Sequence, residues 1–212
     1  MLAKLLTKVG QLRTLHRYLP VAVFGLLGVV IGAGIMLASV EYQWQSVPVT
    51  VVSDRATSTV LSAAEPAALR IPEIDLYTDF EGPLGLQADQ TIEVPDSFTA
   101  VGWYRFAPTP GELGPAVVLG HVDSYEGPAV FWSLKDLEPG DSIFVDRVDG
   151  TTATFTVTSL EEHHQSGFPT EKVYGDLDHA GLRLITCSGT YDHSDLRYSH
   201  NLIVFAELTP DI

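Results

Sequence analysis

The longest uncharged stretch of the chain is the feature that most constrains its folding. Residues 19–40 read LPVAVFGLLGVVIGAGIMLASV and contain no charged side chain. A helix of this length crosses the roughly 30 Å hydrocarbon core of a bilayer. The alternative is a cleaved signal peptide, but its apolar core is only about 7 to 15 residues long and ends at a small-residue cleavage site, which LASV matches imperfectly. We therefore predict a transmembrane anchor over residues 19–40.

The charges on either side of this segment predict its orientation. Residues 1–18 carry four basic side chains and no acidic one, whereas Glu41 is the first acidic residue of the chain. Basic residues stay on the cytoplasmic side of a membrane span. Residues 1–18 are thus predicted to be cytoplasmic, and everything after residue 40 to lie outside the cell. The four basic residues are Lys4, Lys8, Arg13 and Arg17.

The part of the chain beyond the predicted anchor is strongly acidic. It holds 8 of the 12 basic residues and all 27 acidic ones. Nucleic-acid binding requires a basic face, so this composition argues against a nucleic-acid partner. An acidic surface is typical of a domain that must stay soluble or that attracts a cationic partner.

Residues 41–68 are predicted to form an extracellular linker. They are rich in Ser, Thr, Ala and Val, contain two prolines and show no helical periodicity. The alternative is that the β-branched stretch VTVVS forms an edge strand of the domain. The folded domain is predicted to occupy residues 69–212.

That domain is predicted to be all-β. Short β-branched runs recur between Gly, Pro and Asp residues, and the clearest hairpin turns at Asp149 and Gly150. Helical signals are confined to one or two turns within PAVFWSLKDLEPGD and FPTEKVYG. Seven or eight short strands with frequent turns favour a closed antiparallel barrel or a sandwich.

The chain has a single cysteine, Cys187, at the end of the apolar run LRLITC, and the polar stretch from there to Arg197 is predicted to be a loop. Outside the cell, cysteines usually form disulfides, but a lone cysteine has no partner within the chain. Three interpretations stay open on this basis: a buried inert thiol, an intermolecular disulfide, or a reactive nucleophile.

His121 is the histidine best suited to serve as a base for such a nucleophile. It follows the apolar run AVVLG, as Cys187 ends LRLITC, whereas the other histidines lie in polar stretches. A hydrogen-bonded histidine at a strand end is the structural alternative. Two strand ends that each carry a reactive side chain favour a catalytic pair.

Two further residues could contact a substrate carbonyl. Arg197 follows Cys187 by ten residues and could stabilise an oxyanion, although a solvated loop arginine has the same spacing. Thr186 could offer its hydroxyl or backbone to a substrate, or be an ordinary strand residue. The sequence has no P-loop, dinucleotide fingerprint or metal-ligand spacing, so we predict no cofactor and no metal.

The motifs together resemble those of the sortases, the membrane-anchored cysteine transpeptidases. LITC on a penultimate strand with an arginine downstream is similar to their T-L-x-T-C signature, and GHVDSYEGPAVFWSLKDLEPGD resembles their histidine segment. VGWYRFAPTPGELGPAVVLGHVD, FPTEKVYG and LRLITCSGTYD are similar to the class F branch in particular. The resemblance covers roughly residues 69–208 and implies a closed eight-stranded β-barrel with one or two short helices.

The resemblance also implies the reaction and the roles of the residues. Cys187 would attack the Thr–Gly bond of an L-P-x-T-G-like sorting signal on an exported protein, forming a thioester. An amine of a peptidoglycan precursor would then resolve that thioester. His121 would act as general acid and base, and Arg197 would hold the carbonyl oxygen.

One departure from the sortase pattern concerns the arginine. In sortases it commonly lies on or just before the final strand, whereas Arg197 precedes Asn201 by four residues, so Arg183 or Asn201 could take its role. An L,D-transpeptidase is disfavoured because its His-Gly-Cys motif is missing from LITCSGT. The alternative from another class is a membrane-tethered β-domain that binds a partner and has a buried, non-catalytic thiol.

Overall fold

The computed structural model describes residues 60–209. The predicted cytoplasmic segment, the predicted anchor and most of the predicted linker lie outside the described residues. Within residues 60–209, no helix combines the length and the apolar character needed to cross a membrane.

Eight strands close into a barrel, which confirms the predicted all-β architecture. Their order around the barrel is β1-β2-β3-β4-β9-β10-β8-β7, and two shorter strands, β5 and β6, form a separate ribbon. Neighbouring strands are antiparallel except for two parallel pairs, β2 with β3 and β4 with β9. The strands are β1 Pro66–Ile71, β2 Leu76–Leu84, β3 Val101–Tyr104, β4 Gly114–Leu119, β5 Asp123–Ser124, β6 Gly127–Pro128, β7 Ser142–Arg147, β8 Thr152–His164, β9 Ala180–Asp192 and β10 Arg197–Leu208.

The local predictions from turn and helix signals are confirmed. The β7–β8 hairpin turns where Asp149 and Gly150 predicted it, with Gly150 at a φ of 83° that favours glycine. A 3₁₀ turn occupies Trp132–Asp136, and the one α-helix of the described residues, α1, spans Thr170–Tyr174. Two other 3₁₀ turns, Pro72–Ile74 and Gln165–Gly167, had no distinct sequence signal.

Alternate side chains of the strands form two apolar clusters. One fills the barrel interior, where Phe131, Leu182 and Val204 are fully buried. The other lies on the outer face of β4, β9 and β10, where α1 covers it. This outer cluster provides the floor on which a site can be built; its buried members are Val117, Val173, Ile185, Ile203 and Phe205.

The folded domain starts before Leu69, the boundary predicted from composition. β1 begins at Pro66, and the Leu61 N–H donates to the Gly111 carbonyl at 2.8 Å. Leu61 also packs against the barrel core, and Arg147 donates to the Ser62 carbonyl. The last residues of the predicted linker are thus part of the domain, because an apolar side chain and backbone hydrogen bonds attach them to it.

Candidate active site

The parallel pairing of β4 with β9 brings the segments of His121 and Cys187 together. Leu119 is the register partner of Ile185, and the Gly120 N–H donates to the Ile185 carbonyl at 3.2 Å. Because paired residues advance together along parallel strands, His121 follows this register to the level of Cys187. The predicted base and nucleophile therefore lie on adjacent segments at one edge of the barrel.

The polar stretch after Cys187 is not the loop that the sequence suggested. β9 continues to Asp192 and pairs with β10 from Arg197 onward. A register shift between Ser188 and Tyr191 places an extra residue on β9 and marks a bulge. Backbone pairing continues here although the side chains are polar, because hydrogen bonds between backbone N–H and C=O groups do not depend on the side chains, and the β9 arm faces solvent. Cys187 thus lies within a long strand, at the level where β4 has already ended.

The ring of His121 is fixed by contacts from the segment that joins β2 and β3. Its Nε2 lies 2.7 Å from the Pro95 carbonyl oxygen, and the Phe98 ring lies 4.7 Å away between centroids. A carbonyl oxygen can only accept, so Nε2 carries a hydrogen and the neutral ring accepts a proton at Nδ1. The contact with Pro95 therefore selects one tautomer.

The Cys187 thiol is half-buried and favours its protonated form. Burial raises the pKa of this thiol, and the nearby carboxylate of Asp123 raises it further. A protonated thiol is a weak nucleophile. Attack on a carbonyl at neutral pH therefore requires a base that removes the thiol proton.

An acidic residue and a tyrosine that sequence reasoning did not assign to the site lie close to Cys187. The Tyr198 hydroxyl donates to Asp123 Oδ2 and so connects β10 to the segment that follows His121. This hydrogen bond, together with burial, raises the pKa of Tyr198 to about 12. Asp123 had a signal in the motif HVD, whereas nothing in the sequence marks Tyr198 as its partner.

The three predicted candidates for an oxyanion donor lie at different distances from the thiol along the strands. Asn201 is the register partner of Cys187, and its Nδ2 lies 3.5 Å from the Thr186 carbonyl oxygen. Arg197 is exposed and pairs with Asp192, four residues or about 13 Å of strand away from Asn201.

Neither arginine is the strand partner of Cys187, since Arg197 pairs with Asp192 and Arg183 with Phe205. Within residues 60–209, the Arg197 guanidinium makes no hydrogen bond or ion pair with its neighbours. Arg183 is 5 % exposed and lies over the Phe205 ring at 4.9 Å, and burial lowers its pKa. Asn201 is therefore the nearest of the three candidates to Cys187 in the strand register.

Thr186 connects the two strands of the site. Its side chain is buried, and its hydroxyl donates to the Gly120 carbonyl at 2.8 Å. The bond joins the residue before Cys187 to the residue before His121. In this conformation the Thr186 hydroxyl is engaged with the protein, while its backbone carbonyl faces Asn201.

A groove of about 880 Å³ lies on the outer face of the barrel, and its lining includes Asn201, the register partner of Cys187. Leu119, Ile185 and Asn201 lie in the groove, which is bounded on one side by the segment that follows β2 and on the other by α1. An ion pair between Glu161 and Lys172 holds α1 against β8. The lining is mainly apolar with several amides and hydroxyls, which suits an extended peptide with apolar side chains.

Aromatic side chains shape the end of the groove that lies away from Cys187. Phe168 stacks on Tyr174 at 6.0 Å between centroids, and Tyr104 meets Tyr174 edge to face at 6.2 Å. Burial raises the pKa of Tyr174 to about 12, so this hydroxyl stays protonated over the physiological range. Among residues 60–209, no three His, Cys, Asp or Glu side chains are grouped so as to hold a metal ion.

Comparison with protein families identifies one match. The family described as "Sortase domain" matches residues 69–209. A search among curated proteins gives no match.

The solved structures of similar fold include sortases of two classes. Sortase A from Corynebacterium diphtheriae, as a lid mutant, is 20 % identical with a TM-score of 0.54, covering 72 % of this chain and 74 % of its own. Sortase C-1 from Actinomyces oris is 22 % identical with a TM-score of 0.54, covering 68 % and 72 %. SortaseC1 from Streptococcus suis is 15 % identical with a TM-score of 0.54, covering 70 % and 75 %. Identities this low establish a common fold and no more.

Proposed function

This chain belongs to the sortase family of cysteine transpeptidases, and we propose that it transfers exported proteins bearing an L-P-x-T-G-like sorting signal to an amine of the cell wall. The observation that carries the proposal is the β4–β9 register, which brings His121 to the level of Cys187, next to an apolar groove whose lining includes Asn201, the register partner of Cys187. A sorting signal with Leu and Pro suits such a groove, because apolar side chains gain most from leaving water.

The first step forms a thioester. The Cys187 sulfur attacks the carbonyl carbon of the signal's Thr, and His121 takes the thiol proton at its free ring nitrogen. The tetrahedral intermediate collapses when His121 gives that proton to the departing glycine amine. The Thr carbonyl is then bonded to sulfur, and the C-terminal fragment leaves as a free amine.

The second step transfers the acyl group. The acceptor amine attacks the thioester carbon and loses a proton to His121, and the Cys187 sulfur leaves and regains a proton. Asn201 is our first choice for the donor to the oxyanion, since its amide lies in the register of Cys187. Arg197 remains a candidate if the β9–β10 hairpin moves inward when substrate binds.

We assign the chain to the class F branch on the motifs around Trp103, His121 and Cys187. We further propose that residues 19–40 anchor it in the cell membrane as a single span, with residues 1–18 in the cytoplasm and the catalytic domain outside. The proposed partners are exported proteins with sorting signals and a peptidoglycan precursor amine.

The decisive experiment uses the full chain purified in detergent. Incubation with an L-P-x-T-G peptide should give an acyl adduct on Cys187 by mass spectrometry, and added amine should convert it to an amide product. Cys187→Ala should form no adduct, and His121→Ala should form it at least about a hundredfold more slowly. If no adduct or cleavage occurs with several sorting peptides, and the thiol also resists alkylation, a partner-binding domain with a buried thiol becomes the better description.

A further inference from the structure

A second cavity continues the groove away from Cys187. It has a volume of about 380 Å³ and shares three aromatic side chains with the groove, Tyr104, Phe106 and Tyr174. We call it the upstream pocket. Besides the shared residues it is lined by Ala107, Pro108, Leu113, Gly114, Pro115, Asp176 and Leu177.

Strand register measures how far this pocket lies from the thiol. Pro115, in the lining, pairs with Gly181, which precedes Cys187 by six residues. At about 3.3 Å per residue, the part of the upstream pocket that Pro115 lines lies some 20 Å along β9 from Cys187. Pro115 and Leu119 are four residues apart on β4, and every second side chain of a strand faces the same side, so both face the outer side of the barrel.

A sorting motif is too short to fill both cavities. The four residues L-P-x-T in extended form cover about 13 Å from the carbonyl that Cys187 attacks. That length reaches the level of Arg183, which is the register partner of Val117. A client peptide whose motif occupies the groove therefore continues, in its N-terminal direction, past Tyr104 toward the upstream pocket.

The lining of the upstream pocket indicates the chemistry of its occupant. Phe106 and Leu113 are 65 % and 55 % exposed, although both are large apolar residues. They lie together with Pro108 and Leu177 around a concave surface, and Asp176 is the one charged side chain among the lining residues described. A concave surface of this composition favours an apolar side chain.

We propose that the upstream pocket binds an apolar side chain located one to three residues before the leucine of the client's sorting motif. This inference rests on the proposed function, since it presumes that the motif occupies the groove. The continuity of the two cavities selects the client peptide as occupant over a second copy of the chain or the linker that precedes residue 60. The chain would then select among exported proteins by residues outside the motif.

The test compares two peptides that share one L-P-x-T-G core. One has three alanines before the core, and the other has phenylalanine at the second of these positions. The full chain in detergent should cleave the phenylalanine peptide with a kcat/KM about tenfold higher, which is the effect of burying one large apolar side chain. Both peptides should form the same thioester.

Two variants locate the effect. Leu113→Ser should reduce the preference for phenylalanine to about threefold or less while leaving the alanine peptide unchanged. Val148→Ser is the matched control, because Val148 is also an exposed apolar residue, 66 % exposed, but lies in the β7–β8 turn. It should retain the full preference.

A photoreactive benzoylphenylalanine at the same peptide position provides a readout independent of rate. Cross-links should map to Phe106, Leu113 or Leu177. Equal cleavage of both peptides, a preference unaffected by Leu113→Ser, or cross-links confined to other faces would each overturn the upstream pocket while the proposed function stands. Failure to cleave either peptide would remove the proposed function and this inference with it.

Discussion

Replacing Thr186 by valine tests whether one hydroxyl holds the two halves of the site in register. Valine has nearly the same shape as threonine but no donor. The Gly120 carbonyl would lose the hydrogen bond it now receives at 2.8 Å from Thr186, a residue that is only 4 % exposed. A buried acceptor deprived of its donor costs about 2 kcal/mol.

This cost predicts both a stability change and an activity change. For a domain of this size, about 2 kcal/mol lowers the unfolding temperature by roughly 6 °C. Gly120 precedes His121 directly, so a relaxed backbone there also displaces the base from its position beside the thiol. We expect thioester formation to slow by at least about tenfold, since small misplacements of catalytic groups are costly.

The assay combines thermal unfolding, followed by tryptophan fluorescence, with the rate of adduct formation on Cys187. Thr186→Ser is the control: it loses a buried methyl group, worth about 1 kcal/mol, but keeps the hydroxyl. The serine variant should therefore be destabilised and yet retain near wild-type adduct formation. An unchanged valine variant, or a serine variant as slow as valine, would refute the role of this hydrogen bond.

Four other substitutions test the pKa of the thiol, the oxyanion donor and the groove. Asp123→Asn should lower the pKa of the Cys187 thiol, because it removes a negative charge and leaves burial in place. The pH profile of Cys187 alkylation should therefore move to lower pH, and an unmoved profile would contradict a charge effect of Asp123 on the thiol. If the Asn201 amide binds the oxyanion, Asn201→Ala should slow acylation about a hundredfold. If the β9–β10 hairpin instead closes over the substrate, Arg197→Ala should have the larger effect, and single-turnover acylation rates of the two variants decide between them. Lys172→Ala removes the ion pair that holds α1, so KM for the peptide should rise with little change in kcat. A change in kcat alone would argue against a role of α1 in binding the peptide in the groove.

Sequence reasoning succeeded where the information was local. Asp149 and Gly150 fixed the β7–β8 turn because the backbone there needs a positive φ, and the breaks at Pro139 and Gly140 delimited a single helical turn. The number and brevity of the strands left a barrel or a sandwich open, and the family resemblance selected the closed barrel of eight strands. The turn and the helical break depend on neighbours within a few residues of one another, whereas closure of the barrel depends on strands that lie far apart in the sequence.

Sequence reasoning failed where strand pairing decides the structure. The stretch after Cys187 looked like a loop because its side chains are polar, but exposed hairpin arms need no apolar side chains once their backbones pair. The bond between Tyr198 and Asp123 joins residues 75 positions apart, a separation that no spacing rule covers. The same limit applies to Arg197, whose distance from the thiol depends on how far β9 continues before it turns.

The environment of Cys187 also bears on the order of events in the proposed reaction. Burial and Asp123 both raise the pKa of the thiol, which keeps the thiolate fraction low while the groove is empty. The thiolate is the form that oxidants attack, so a lone cysteine is protected when it remains protonated. The same protonation delays catalysis until a carbonyl lies next to the sulfur and His121 can take the proton as the bond forms. In the proposed reaction, the burial and charge around this thiol thus restrict its reactivity to the occupied groove. This explains why Asp123 lies beside the nucleophile although its charge raises the pKa of the thiol.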